Sequence, residues 1–254
     1  MESQKEKTGY TLNPIGHIRS EFDHRFGTPR QGALAPNSHA TFELEPLWRE
    51  KGMFDALSGF SHVWLLSVFH QNTSLRNPSK IHPPRLEGES VGVLASRSPH
   101  RPNSIGLTLA KLEKVEGDTL WLSGVDLVDG TPILDIKPYL AEADRPQAFR
   151  CGWAEDLPPL QVSCVFNEDA RRDLTALGAA GKIRDVSRFE KLVEEVLLLD
   201  PRPLSYRARV NERFAIVIAG MDVHARYLDS VFTVISIRPF VSKPTSRPIP
   251  THQN

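Results

Sequence analysis

Val63-Trp64-Leu65-Leu66-Ser67-Val68-Phe69 is nearly all apolar, and His70-Gln71-Asn72 follow without a break. The run reads as a strand buried on both faces that ends at a polar mouth. Similar short extended pieces flank it, at 15–20, 40–44, 91–95, 107–112, 120–125 and 133–136. Gly117-Asp118 marks a turn between two of them. Residues 45–57 carry Leu47, Met53, Phe54 and Leu57 and read as a short helix. About seven strands and one helix before Pro138 argue for a barrel or sandwich over a βαβ sheet.

Periodicity disappears over 141–159, where proline and acidic residues accumulate, and the boundary between two domains is expected there. Beyond it, 160–166 reads as a strand, and 168–177 and 187–199 as helices. The second helix carries Phe189, Leu192, Val193, Val196 and Leu197 on one face. Asp200-Pro201-Arg202-Pro203 stops it. Three strands follow at 214–218, 223–227 and 231–237. The expected organisation is a mobile N-terminus (1–11), a β-rich ligand-binding domain (12–145), a C-terminal α/β domain (160–240) and a flexible tail (241–254). The fold class is mainly β with an α+β C-terminal part.

Composition excludes several classes. The 254 residues carry 31 basic and 31 acidic side chains, so a nucleic-acid partner would be held by local patches rather than a basic field. Twenty prolines favour many short elements joined by loops. Cys151 and Cys164 form neither a disulfide framework nor a CxxC metal pair and fit a reducing compartment. The nine histidines show no metal-ligand spacing, so no metal is expected. The N-terminus is too polar for a secretory signal, and no apolar run approaches the ~18 residues of a membrane span. A cytoplasmic protein is expected. Signatures of P-loop, dinucleotide-binding, zincin and α/β-hydrolase sites are missing.

Four polar clusters remain, each at the end of an expected strand. Thr28-Pro29-Arg30-Gln31-Gly32 presents a guanidinium and an amide from a proline-fixed turn. His70-Gln71-Asn72 closes the buried strand. Residues 96–106, SRSPHRPNSIG, combine two arginines, three serines, an asparagine and a histidine on a proline-stiffened loop. Asp126-Leu127-Val128-Asp129-Gly130-Thr131-Pro132, with Asp135 and Lys137 after it, is a turn whose carboxylates can accept bonds from hydroxyls or an amine. Each has a plain alternative: a surface loop, a core histidine, a turn tied to its own carbonyls, a structural Asp-Gly corner.

Taken in order, IGHIRS (15–20), TPRQG (28–32), SGFSHVWLLSVFHQ (58–71), RSPHRPNSIGLT (97–108), DLVDGTPILDIKPYL (126–140) and DPRP (200–203) with Tyr206 resemble the TsaA-like (YaeB/VirR) family, over residues 12–239. The resemblance implies a small closed β-barrel, unrelated to Rossmann methyltransferases, followed by a C-terminal α/β domain. It implies a homodimeric tRNA methyltransferase dependent on S-adenosylmethionine. Its target would be N6 of threonylcarbamoyladenosine beside the anticodon of threonine tRNAs, with neither DNA nor membrane as partner. Matching positions would place the cofactor against Pro29, Arg30, Gln31, His70, Gln71, Arg97, Leu107, Leu127, Val128, Asp129 and Gly130. One departure is visible: Ser104 stands where the family usually has proline.

The chemistry of that reaction adds further expectations. The cofactor's carboxylate suits Arg30 or Arg97 at an apolar barrel mouth. The amide-like N6 is a weak nucleophile and must lose its proton. Asp126, Asp129, Asp135 and His70 are the candidate bases, and the sequence does not choose among them. The substrate's threonyl carboxylate suits Arg85, Arg101 or Arg202. Asp200, Arg202 and Tyr206 are expected to place the anticodon loop, although Pro201-Arg202-Pro203 also serves simply to end a helix. The competing possibilities are a non-catalytic module binding S-adenosylmethionine or a nucleotide, and a structural partner protein.

Overall fold

Alternation governs the first half of the chain. In the computed structural model, which describes residues 9–72, 78–86, 88–155, 157, 160–202, 204–207 and 211–241, the strand around Val63 spans His62–Val68. Val63, Leu65 and Ser67 point inward and are fully buried, while Trp64, Leu66 and Val68 are half-buried on the outer face. The strand is therefore not buried on both faces. Its outer side is apolar but uncovered, which the sequence pattern alone does not distinguish from a second buried face.

The first eight strands are β1 (Gly16–Ser20), β2 (His39–Leu44), β3 (His62–Val68), β4 (Lys80–Ile81), β5 (Val91–Gly92), β6 (Ile105–Glu116), β7 (Thr119–Ser123) and β8 (Pro132–Pro138). β1, β2, β7, β6, β3 and β8, in that order, close into a barrel, and β4 and β5 pair separately. Every strand pair around the barrel is antiparallel. Ile18, Phe42, Leu65, Leu120 and Ile133 are fully buried and fill the interior, so the barrel is a packed core rather than a ligand cup.

Two local expectations are corrected. Residues 45–57 form no α-helix: two single 3-10 turns, Pro46–Trp48 and Leu57–Gly59, stand in its place. Glu50, Gly52 and Ala56 all have positive φ, which no right-handed helix accommodates. The expected strand at 91–95 is only two residues long and passes into a 3-10 turn at Val93–Ala95.

After α1 (Ala141–Asp144), the chain forms β9 (Ser163–Phe166), α2 (Glu168–Ala179), α3 (Val186–Leu198), α4 (Leu204–Arg207), β10 (Arg213–Ile218), β11 (Met221–Leu228) and β12 (Val231–Pro239). The sheet order is β10-β11-β12-β9, with β9 parallel to β12 and the other pairs antiparallel. Asn167 and Asp185 cap α2 and α3 by accepting from Ala170 N (2.8 Å) and Arg188 N (2.9 Å). The five apolar residues expected on one face of α3 are all buried. Phe22 and Ala35, from the β1–β2 loop, are fully buried in this second core and not in the barrel. The β1–β2 loop therefore packs against the second core while the strands on either side of it belong to the barrel.

The expected N-terminal segment 1–11 and tail 241–254 fall mostly outside the described residues.

Candidate functional site

Strand pairing decides where the polar clusters meet. Ser20 at the end of β1 pairs with Ala40 near the start of β2, and His39 pairs with Ser123 at the end of β7. Val68 at the end of β3 pairs with Ile105 at the start of β6, and Ser67 with Ile133 near the start of β8. Loops 21–38, 69–104 and 124–131 therefore leave the same rim, and together they carry all four polar clusters.

Close packing locks these loops together. A Cβ on Gly32 would collide with the carbonyl oxygen of Gly124, so the TPRQG turn sits directly on the start of the Asp126 turn. A Cβ on Gly106 would lie 2.5 Å from Ser67 Oγ and 3.1 Å from the Phe69 ring. Phe69 N donates to Ser104 O (2.9 Å), and Asn72 Nδ2 to Pro99 O (2.9 Å). The Arg97 guanidinium donates to Gln31 Oε1, joining the first and third clusters.

Asp126 stands at this junction. Its carboxylate accepts from Thr108 Oγ1 at 2.5 Å. Burial pushes its pKa above the ordinary carboxylate value, against the pull of the Thr108 hydroxyl, backbone N–H groups at Gly32 and Asp126, and the Arg97 charge. The other candidate bases are placed differently. Asp129 accepts from Ser20 N (3.0 Å) and lies 3.5 Å from Arg19, fastening the turn to β1. Asp135 lies on β8, 2.9 Å from Lys137 and bonded to Ile136 N. His70 is exposed, so it is not a core histidine.

The remaining candidates fall into distinct surroundings. Pro29 and Leu127 are buried, and Gln71, Val128 and Gly130 are half-buried at the rim. Leu107 is 57% exposed on the outer face of β6, opposite Leu66. It therefore faces outward from the barrel wall and not into the barrel end. Arg30 turns away from Arg97 and donates to Asp200 O at 2.9 Å. Arg101 folds back onto Ser96 O (3.0 Å) and Ser98 O (3.4 Å), realising the plain alternative of a loop tied to its own carbonyls. Arg85 sits on an exposed 3-10 turn at Pro84–Leu86, and Tyr206 is partly exposed on α4.

Arg202 is only 6% exposed. It grips Asp200 with two bonds (2.8 and 3.1 Å) and lies over the rings of Tyr227 (3.8 Å) and Phe232 (5.3 Å). Direct phosphate contact needs an accessible guanidinium, so the expected role of Arg202 at the RNA surface is corrected to one of holding Asp200. Thr108 and Arg207 belong to the site although sequence reasoning did not single them out. Thr108 is the last residue of the RSPHRPNSIGLT motif, whereas nothing local in the sequence marks Arg207.

Comparison with known proteins places the chain in a family. The family model described as the tRNA-methyltransferase O N-terminal domain matches residues 17–145, and the TrmO C-terminal domain matches 159–240. The chain belongs to the TrmO family. A Pseudomonas aeruginosa relative named putative S-adenosylmethionine-dependent methyltransferase RcsF is 42% identical over 219 residues, 86% of this chain and 93% of the relative. An Escherichia coli tRNA (adenine(37)-N6)-methyltransferase is 32% identical over 239 residues, 91% of this chain and 99% of the relative. The crystal structure of TrmO from Pseudomonas aeruginosa superposes with a TM-score of 0.75 at 35% identity, covering 91% of this chain and 99% of that one.

The residues present fit the TrmO cofactor. Asn72 Oδ1, on the residue that bonds the 96–104 loop, is buried without a hydrogen-bond partner, a polar group for which a polar ligand at this rim supplies a partner. Arg97 supplies a cation beside Gln31 and Asp126. Among the described residues no group of His, Cys, Asp or Glu is arranged to hold a metal, and no helix is long and apolar enough to cross a membrane.

Proposed function

We propose that this chain methylates N6 of threonylcarbamoyladenosine beside the anticodon of threonine tRNAs, with S-adenosylmethionine as the donor. The observation that carries this is the meeting of all four polar clusters at one rim, with Arg97, Gln31, Gly32 and Asp126 in mutual reach. S-adenosylmethionine, when bound, supplies a methyl group on a sulfonium, which an aligned nitrogen displaces in line. Arg97 is the residue for the donor's carboxylate, since it lies at the junction of the clusters, bonded to Gln31 and acting on Asp126.

Asp126 is the residue for the N6 proton. Its raised pKa brings it closer to the working pH than an ordinary aspartate, and Thr108 fixes its orientation. Asp129 and Asp135 hold strand ends and a lysine instead.

A homodimer and a cytoplasmic location belong to the same proposal. Trp64, Leu66 and Val68 on β3 and Ile105, Leu107 and Leu109 on β6 form an apolar outer face beside the site, which supports burial against a second copy. The free cysteines Cys151 and Cys164 support a reducing compartment. Incubation with labelled S-adenosylmethionine and bulk tRNA is expected to label threonine tRNAs carrying threonylcarbamoyladenosine. Cofactor binding with no label in such tRNAs would leave only the non-catalytic alternative.

A further inference from the structure

Positive charge gathers around one carboxylate where the rim meets the second domain. Asp200, at positive φ, receives Arg30 Nη2 (2.9 Å) and Arg207 Nη2 (3.3 Å) on the same backbone oxygen. Its carboxylate is held by Arg202 through two bonds, and Arg207 Nε lies 3.2 Å from Oδ2. Arg207 Nη1 also reaches Pro84 O (3.3 Å), which brings the turn bearing Arg85 to the same place.

The charges acting on Arg30 are two arginines and one aspartate. Burial, then Arg207, lowers its pKa from the ordinary arginine value, with Asp200 opposing and Arg85 adding. The one carboxylate is shared by Arg202 and Arg207. Forked donors grouped at one seam suit a planar or tetrahedral oxyanion.

We infer that Arg30, Arg85 and Arg207 form an oxyanion site for the RNA substrate, taking either the threonyl carboxylate of the modified base or a backbone phosphate. This rests on the proposed function, and it differs from the arginines first considered: Arg101 folds into its own loop, away from this seam, and Arg202 is buried. Arg207 enters as a substrate residue from the second domain.

The test uses the full chain and an anticodon stem-loop RNA, made with and without the threonylcarbamoyl group. Arg207→Ala is expected to weaken RNA binding about tenfold, with cofactor affinity within about twofold of wild type. Arg85→Ala, on an exposed turn, is expected to act in the same direction and guards against a folding defect in the first variant. Loss confined to threonylcarbamoylated RNA identifies the carboxylate, and equal loss on both RNAs identifies phosphate. Unchanged RNA affinity in both variants overturns the inference, as does a parallel loss of cofactor affinity. Binding is read without turnover. A wild-type protein that holds RNA through these arginines yet never methylates it would therefore overturn the methyltransferase assignment alone.

Discussion

The two walls of the site are held in different ways. Loop 21–38 is built into the second domain: Phe22 and Ala35 join its core, Glu21 O accepts from Ala219 N (2.7 Å), and Arg188 grips the Glu21 carboxylate. Asn37 bonds Glu195 from the same loop. Loop 96–104 is held mainly by itself. Ser96 Oγ donates to Val93 O (2.7 Å) and accepts from Ser98 N (3.3 Å), while His100 N donates to Ser98 Oγ (3.2 Å). One wall thus reports the state of the second domain, and the other depends on its own turns and on a few bonds to Phe69, Asn72 and Gln31.

Damage to the first wall is expected to cost the most. Phe22→Ala empties a fully buried ring position and should destabilise the protein by about 3–5 kcal/mol in a denaturant titration. Cofactor affinity should fall with it, and a stable variant with intact binding would show that the wall does not depend on that core. Asp126→Asn, at the junction of both walls, should lower kcat by about a hundredfold or more with little change in cofactor affinity.

The pH profile follows from the same residue. The carboxylate is the active form, so the rate should fall as pH drops through a midpoint above the ordinary carboxylate value, and the variant should lose that limb. The stability sign is opposite: because the folded pKa is raised, Asp126 costs stability as pH rises from the ordinary value through the folded one.

Smaller effects separate the walls further. Arg188→Ala leaves the Glu21 carboxylate, at 16% side-chain exposure, with the His39 N–H but no countercharge, and should cost about 1–3 kcal/mol, with weaker cofactor binding in calorimetry. Ser104→Pro should stabilise by at most about 1 kcal/mol, through a stiffer unfolded chain, and leave the first wall untouched. A larger change in melting temperature would mean that the second wall is not self-contained.

Strand positions were legible because alternation and turn residues are local. Leu120 and Leu122, for example, need only their neighbours to be read as inward-facing. The double burial expected for β3 failed because Trp64, Leu66 and Val68 are apolar for a surface, and sequence gives no sign of which apolar face is left uncovered. The helix expected at 45–57 failed at Glu50, Gly52 and Ala56, whose positive φ values outweigh a few well-spaced apolar side chains. In the site, the motifs found the rim, but not the partners. Arg202 reads as a surface cation until Tyr227 and Phe232, some way along the chain, close over it.

The placement of Phe22 also orders events during synthesis. The barrel is complete in sequence at Pro138, but the pocket for Phe22 needs Phe232, which leaves the ribosome later by roughly 5–20 s at ordinary elongation rates. Until then the barrel can close while loop 21–38 has no core to enter. This wall of the candidate site is encoded near the start of the chain and yet is among the last parts to be finished.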